Sequence, residues 1–264
     1  MGYHIKTIIR LLSKVSTHSY HLLFYSRRKI IKKLIDNCYA IVFNGEDEKK
    51  WFEEDFKIHV HTDKQIYIGN GAESVQEITK LNQRKYDILF VGRIEARKRT
   101  IENIKFILSN FPNLKIAVCG AINERNLKNK QKFIKLLIEN PNIAYFGQLD
   151  REELSKVYLN SKIVCGISSF EVAPLNEVEA INHRCLYIGT NKSSIRFMNI
   201  NTLVYVDPYD ESEIMSGYKD LLKLLNCDSG KLRYPPLQLW SEILQPLISI
   251  YQNILNFRGE ELHQ

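Results

Sequence analysis

The sequence predicts an α/β protein whose larger part is a doubly wound parallel sheet. Six short apolar segments recur between residues 87 and 207, and stretches of helical periodicity separate them, an alternation typical of parallel sheets. The segments that we interpret as strands are DILFVG, LKIAVCG, NIAYFG, KIVCGIS, CLYIG and TLVYVD. Helices are predicted near residues 100–110, 124–139, 151–160, 175–183 and 211–225, with a last one near 240–257.

The region before this alternation is shorter and strongly basic. Residues 1–35 contain no Asp or Glu, and the pattern IIKKLI predicts a helix over roughly 20–36. YAIVFNG and QIYIGNG predict two strands, and the acidic segment EDEKKWFEEDF predicts a short helix between them. A basic, partly amphipathic segment suits the surface of an anionic membrane. A solvated helix whose apolar side packs on the protein explains the same pattern.

Composition narrows the class of protein. The formal net charge of +7 suits an anionic partner such as a nucleotide, a nucleic acid or a membrane surface. The five cysteines form no CxxC pair or His/Cys cluster, which argues against structural zinc and a disulfide framework and favours a reducing cytoplasm. Apolar runs fall short of the ~20 residues of a membrane span. Lys6, Arg10 and Lys14 interrupt the first apolar stretches, which argues against a signal peptide.

The stretch SSFEVAPLNEVEA, residues 168–180, carries the chemistry expected of an anion site. Proline is tolerated in the first turn of a helix, so a helix is predicted to begin near Pro174 or Leu175. Glu171 then lies in the loop before this helix, and Glu179 about one turn inside it. The free backbone N–H groups and the dipole of the helix start favour a phosphate between the two carboxylates. Such an arrangement suits a sugar–phosphate ligand.

Other candidate residues follow the predicted strands, and in a parallel sheet the carboxyl ends of the strands share one edge. Arg93 and Lys98 follow the first strand of the regular part, within GRIEARKR, and suit a diphosphate. Gly147 follows the third strand, and Glu171 the fourth. Each signal has an ordinary alternative: a basic loop is usually solvated, a lone glycine usually marks a turn, and Glu179 complements the helix dipole.

Several motifs, taken together, resemble the retaining, nucleotide-sugar-dependent glycosyltransferases of family four, which have the GT-B fold. FVGRIEARK resembles the family's diphosphate-binding loop, and EVAPLNEVEA matches its E-x7-E signature. IYIGNGAE resembles the hinge between its two domains, and YFGQLDREELSKVYLNSKIVCGIS its base-binding loop and fourth strand. WSEILQPLISIYQNIL resembles its last helix. The motifs occur in the family's order over roughly residues 38–255.

The resemblance implies a role for each matched position. Arg93 and Lys98 would hold the donor diphosphate, Glu179 the donor ribose, and Glu171 the donor sugar as the catalytic carboxylate. Backbone groups at Ala173, Pro174, Leu175 and Asn176 would contact the phosphate and sugar, while Gly147 and Gln148 would flank the base. These enzymes need no obligatory metal or other cofactor, because the Arg/Lys pair and the helix dipole neutralise the leaving diphosphate.

The resemblance also implies a division of the chain. Residues 1–73 would form a shortened acceptor-side domain, 74–86 a linker, 87–236 the Rossmann-like donor domain, and 237–264 a helix that crosses back. Two departures from the family stand out. NHRCLYIG has Arg184 and Leu186 in a turn where the family has "GxPVV", and the front is too short for a complete first domain.

The resulting hypothesis is a retaining hexosyltransferase that moves a sugar from a nucleotide donor to a glycan or lipid-linked acceptor in surface polysaccharide synthesis. It would be cytoplasmic and peripheral on the inner face of the cell membrane, through residues 1–35. The alternative is a non-catalytic nucleotide-sugar-binding subunit that needs a separate acceptor-domain partner. A nucleic-acid-binding protein is not expected, because the basic residues lack interleaved aromatic motifs.

Overall fold

A computed structural model describes residues 19–261, apart from residues 76, 124–125, 195, 198, 226, 228 and 237–238. Residues 1–18 of the basic segment 1–35 therefore lie outside the described residues. The chain divides into two compact units, residues 1–67 and 68–264. Among the described residues, no helix has both the length and the apolarity that a bilayer span requires.

The first unit is a small α/β arrangement. Its elements are α1 (Ser19–Asn37), β1 (Ile41–Phe43), α2 (Glu46–Phe56) and β2 (Gln65–Tyr67). The two strands pair in parallel, and Ile35, Phe43 and Val60 form the buried cluster beside them. These elements confirm the helices predicted over roughly 20–36 and 46–56, and the two predicted strands are shorter than the sequence indicates.

The second unit contains the predicted parallel sheet. Its strands are β3 (Tyr86–Val91), β4 (Ile116–Cys119), β5 (Ile143–Gly147), β6 (Ser161–Gly166), β7 (Leu186–Thr190) and β8 (Leu203–Val206). The intervening helices are α3 (Thr100–Asn110), α4 (Leu127–Glu139), α5 (Arg151–Leu159), α6 (Leu175–Asn182) and α7 (Glu211–Leu224). All neighbouring strands pair in parallel, in the order β5-β4-β3-β6-β7-β8. This order confirms the doubly wound sheet.

Alternation along each strand explains why helices cover both faces of the sheet. In β3, Ile88 and Phe90 belong to one buried cluster, and Leu89, between them, belongs to another. The first cluster includes residues of α3, α4 and α7, whereas the second includes residues of α5 and α6. A strand buried on both faces must be apolar at nearly every position, which is the pattern that predicts it in the sequence.

The carboxyl-terminal helix begins where the sequence predicts but is broken into two pieces. They are α8 (Trp240–Ile243) and α9 (Gln245–Glu261). Pro246 is the second residue of α9, and proline lacks the N–H that a continuous helix would use there. The helix predicted over roughly 240–257 is therefore confirmed, with an interruption at Leu244, after which the proline stands in a new first turn where its missing donor has no cost.

Candidate functional site

A cleft opens at the carboxyl edge of the sheet between β3 and β6. The chain winds outwards from these two strands in opposite directions, and the crevice at such a switch point is the usual ligand site of an open α/β sheet. The residues that line the cleft are Phe90, Val91, Lys98, Thr100, Cys165, Gly166, Ser168, Glu171 and Asn176. Three of the sequence-predicted site residues, Lys98, Glu171 and Asn176, are thus brought together.

The loop after β3 forms the basic wall of the cleft. Gly92 has a φ of +137° at the end of the strand. Gly120, after β4, shares this φ, and a Cβ there would lie only 2.0 Å from the carbonyl oxygen of Gly92. Glycine at position 120 therefore lets the two strand ends approach each other closely. Residues Ala96–Lys98 then form a single 3-10 turn that leads into α3.

Glu171 is held by two cations of this basic wall. Lys98 Nζ lies 2.8 Å from Glu171 Oε1, and Arg97 NH1 lies 2.9 Å from Glu171 Oε2. Ser168 Oγ also donates to Glu171 Oε1, over 2.7 Å. Burial would raise the pKa of Glu171, but the attraction of Lys98 and Arg97 outweighs it and holds the pKa below its usual value. The carboxylate is therefore ionised at neutral pH.

Arg97 connects the loop after β3 to the loop after β6 through hydrogen bonds, a role that local sequence patterns do not reveal. Arg97 NH1 donates to the carbonyl of Phe170 over 3.0 Å, and the N–H of Ser169 donates to the carbonyl of Arg97 over 2.8 Å. Asn103 Nδ2 adds a buried bond of 2.7 Å to the carbonyl of Ile167. The position of Glu171 is thus set from the β3 side as well as by its own strand.

The helix start expected near Pro174 or Leu175 is confirmed. Pro174 is the N-cap of α6, and Leu175 is its first residue. Asn70 Nδ2 donates to the carbonyl of Ala173 over 2.7 Å, which fixes the turn before the helix. The side chain of Asn176 is buried at the cleft, and its Oδ1 has no hydrogen-bond partner within the described part of the chain. A buried acceptor without a partner is costly in an unliganded protein.

Glu179 lies further along α6 and faces α5. Tyr158, buried on α5, donates its hydroxyl to Glu179 Oε2 over 2.6 Å. Burial raises the pKa of Glu179, although the Tyr158 hydrogen bond opposes this. A half-buried carboxylate oriented by a tyrosine can accept hydrogen bonds from sugar hydroxyls. Tyr158 was not predicted, because its only signal is its contact with a helix 21 residues further on.

The remaining predicted residues do not line the cleft. Arg93 follows β3, and its guanidinium is 72% exposed and 3.8 Å from Glu95. Gly147 has a φ of +68°, and nothing lies within 4 Å of the place where a Cβ would stand. Gln148, next to it, is exposed. The described residues contain no group of three or more His, Cys, Asp or Glu side chains suited to a metal ion.

A family model decides what kind of protein has this site. The model described as "Glycosyl transferases group 1" matches residues 71–228, which include the whole sheet and every residue that lines the cleft. The chain belongs to the glycosyl transferases group 1 family. No curated protein matches the chain.

Solved structures confirm the GT-B fold for this member of the family. A sucrose-phosphate synthase from Thermosynechococcus elongatus matches 93% of the chain with a TM-score of 0.67 and 17% identity. A glycosyltransferase from Rickettsia africae matches 82%, with a TM-score of 0.64 and 17% identity. Anabaena HepE in complex with UDP matches 80%, with a TM-score of 0.63 and 12% identity. The group 1 chain covers 65%, 63% and 61% of these three proteins, respectively.

Proposed function

We propose that this group 1 chain transfers a hexose from a nucleoside-diphosphate donor to a glycan or lipid-linked acceptor, with retention, in surface polysaccharide synthesis. The observation that carries the proposal is the meeting of Lys98, Glu171 and Asn176 in a cleft at the switch point of the sheet. Two cations, an ionised carboxylate and an unpaired amide oxygen there suit a ligand that combines negative charge with hydroxyl donors.

Each residue has a defined task in this proposal. Lys98 and Arg93 would neutralise the diphosphate, together with the backbone N–H groups at the start of α6. Glu179, oriented by Tyr158, would accept the ribose hydroxyls. Glu171 would contact the donor sugar, and Gly147 and Gln148 would flank the base, where the open space beside Gly147 leaves room for a ring.

In the transfer step, the cations of the basic wall would stabilise the negative charge of the leaving diphosphate. The bond between the anomeric carbon and the diphosphate oxygen breaks, and its electron pair leaves with the diphosphate. The acceptor oxygen bonds to the same carbon on the same face, and its proton is taken up by the departing diphosphate. Fixed cations beside the leaving group stabilise the negative charge that develops on it, without any reorganisation of solvent.

Calorimetric titration with a panel of nucleoside diphosphates, UDP first, tests the donor site. UDP is bound in the HepE structure, which makes it the natural first probe. Lys98→Ala and Glu179→Ala should each weaken binding about tenfold, since each removes charge-assisted hydrogen bonds. Lys219→Ala, which alters an exposed lysine of α7, is the control. Failure of every nucleotide to bind, or unchanged affinity in both site variants, would overturn the proposal.

A second candidate is a donor-binding subunit whose acceptor domain is another polypeptide. It is favoured by the coverage of only 61–65% of the three matched structures. Donor hydrolysis or transfer by the isolated chain would exclude it. Co-purification with a separate acceptor-domain protein, together with turnover only in that complex, would establish it instead.

We further propose that the protein is cytoplasmic and contacts the inner face of the membrane through its basic amino-terminal segment. In the described part of that segment, Ile30 and Leu34 of α1 are 59% and 63% exposed. Exposed Arg27, Lys32 and Lys33 surround them. An apolar stripe beside cations suits an anionic leaflet. The native protein should sediment with anionic vesicles and not with zwitterionic ones, and the double variant Ile30→Glu/Leu34→Glu should sediment with neither. Equal sedimentation of the native protein and the double variant with anionic vesicles would refute the proposal.

A further inference from the structure

Glu177, on the first turn of α6, is a buried carboxyl that the proposed donor contacts do not use. Glu177 is only 1% exposed, and the hydroxyl of Tyr205 on β8 donates a hydrogen bond to Glu177 Oε1. Its Oε2 has no partner among the described residues. Burial raises the pKa of Glu177 to about 8, against the opposing Tyr205 hydrogen bond, so the group is largely neutral at pH 7.

The groups that face this carboxyl come from the strands β7 and β8. Tyr205 contacts it from β8, and Tyr187 faces it from β7. Glu171 also interacts electrostatically with Tyr187, and Arg196 of the β7–β8 loop with Tyr205. Ionised Glu177 would therefore be a buried charge whose nearest described hydrogen-bond donor is a neutral phenol, and such a charge is poorly tolerated.

The hydroxyl of Tyr205 also holds the loop between β7 and β8. The backbone N–H of Phe197 donates to this oxygen over 2.9 Å. At the start of the loop, the N–H of Asn191 donates to the carbonyl of Val206 over 2.9 Å. Two residues of the loop, Asn191 and Phe197, are thus attached to β8, the first through backbone and the second through the hydroxyl of Tyr205.

The first part of this loop, between Asn191 and Phe197, holds the backbone of Glu171. The N–H of Glu171 donates to the carbonyl of Lys192 over 3.0 Å, and the N–H of Ser194 donates to the carbonyl of Val172 over 3.2 Å. The hydroxyl of Ser194 donates to the same carbonyl of Val172. A shift of the loop would therefore shift Glu171, and with it the ion pairs to Arg97 and Lys98.

We propose that Glu177 and Tyr205 form a buried positioning pair that holds the β7–β8 loop against Glu171 and so keeps the donor cleft in its binding geometry. The inference rests on the proposed function for its nucleotide readout. Neither residue touches the donor in this scheme, since Glu177 is buried and neither Glu177 nor Tyr205 lines the cleft. The neutral form of Glu177 is the one that fits the site.

Affinity for UDP, measured by calorimetry on the full chain at pH 7 and pH 9, tests the pair. If only the neutral form binds, a group that titrates near pH 8 predicts a loss of about tenfold at pH 9 in the native protein. Glu177→Gln keeps a neutral group of the same shape, so its affinity should match the native value at pH 7 and stay flat to pH 9. Tyr205→Phe, which loses both hydrogen bonds, should bind weakly at both pH values.

Tyr209→Phe is the matched control, because Tyr209 is 61% exposed in the next loop, and its affinity should follow the native profile. The same loss at pH 9 in Glu177→Gln as in the native protein would overturn the proposal. Should no nucleotide bind at all, amide exchange decides instead. The N–H groups of Glu171 and Phe197 should then exchange at least about tenfold faster in Tyr205→Phe than in Tyr209→Phe, and equal rates would refute the positioning role.

Discussion

At the scale of single residues, Glu171 connects the basic loop after β3 with the loop after β6, two features that the sequence shows only separately. Its carboxylate is bound by Lys98 and Arg97, from a loop 73 residues earlier. The cation proposed to hold the diphosphate is therefore already engaged by the carboxylate proposed to contact the sugar. A donor that enters the cleft would have to share Lys98 with Glu171, so the affinity for the diphosphate reflects this competition.

The ion pairs of Glu171 predict a stability difference with a defined pH range. Because the folded pKa lies below the ordinary value of 4.5, the unfolded chain binds more protons just below pH 4.5. The contribution of Glu171 to folding is therefore complete above pH 4.5 and is lost as the pH falls through the folded pKa. Glu171→Gln should lower the free energy of unfolding by about 2 kcal/mol at pH 7 and show a weaker decline in acid.

Urea unfolding between pH 3 and pH 7 measures this effect, with Glu152→Gln as the control. Glu152 pairs with Lys156 over 2.7 Å, but both side chains are mostly exposed, and such pairs contribute less than about 1 kcal/mol. Identical acid profiles for the native protein and Glu171→Gln would contradict the assignment of the ion pairs.

Arg184 shows how a single residue departs from the family pattern while the turn is retained. Its φ is +52°, a left-handed value for which glycine is the usual choice. Its guanidinium lies 5.0 Å from the ring centroid of Tyr234, whose hydroxyl donates to the carbonyl of Arg184 over 2.9 Å. The cost of the backbone conformation, about 1–2 kcal/mol, is offset by these contacts.

At the scale of elements, local patterns predicted the strands and helices of the second unit closely. Apolar runs such as KIVCGIS predict strands reliably, because a strand covered on both faces is apolar at nearly every position. The break between α8 and α9 could be predicted only from the position of Pro246 within its turn. The contacts of Arg97 with the loop after β6, and of Tyr158 with Glu179, depend on distance across the fold, which no local pattern contains.

Arg84 is a further case, because the sequence around it indicates only a polar linker. It is 3% exposed, and its guanidinium donates to the carbonyls of Thr79, Ser161 and His183 over 2.8–2.9 Å. This side chain therefore fastens the segment before β3 to the start of β6 and to the turn after α6. Its guanidinium spreads these donors over three nitrogen atoms, whereas a lysine ammonium carries all of its donors on one nitrogen.

Replacement of Arg84 should accordingly be costly. Arg84→Ala leaves three carbonyls without this donor and should lower the free energy of unfolding by at least about 3 kcal/mol, and Arg84→Lys should recover only part of the loss. The control is Arg151→Ala, which removes an exposed ion pair to Glu73 and should change stability by less than about 0.5 kcal/mol. Equal, small effects in chemical denaturation of both alanine variants would show that Arg84 is not an anchor.

At the scale of the whole molecule, every residue of the proposed donor site belongs to the second unit. Both large buried clusters consist of residues from 81 onwards, and the cleft is lined by residues between 90 and 176. The first unit, by contrast, has two strands of three residues each and a small buried cluster. A unit with so little core is marginal alone, whereas a six-stranded sheet covered on both faces is not.

This asymmetry predicts that a fragment of residues 68–264 folds and binds the donor nucleotide without the first unit. It should unfold in one cooperative transition and bind UDP within about threefold of the affinity of the full chain, a difference below about 0.7 kcal/mol. Lys98→Ala in the fragment should lose affinity by the same factor as in the full chain, since the cleft is unchanged. A fragment that unfolds cooperatively yet fails to bind UDP, while the full chain binds, would show that residues 1–67 contribute to the donor site itself.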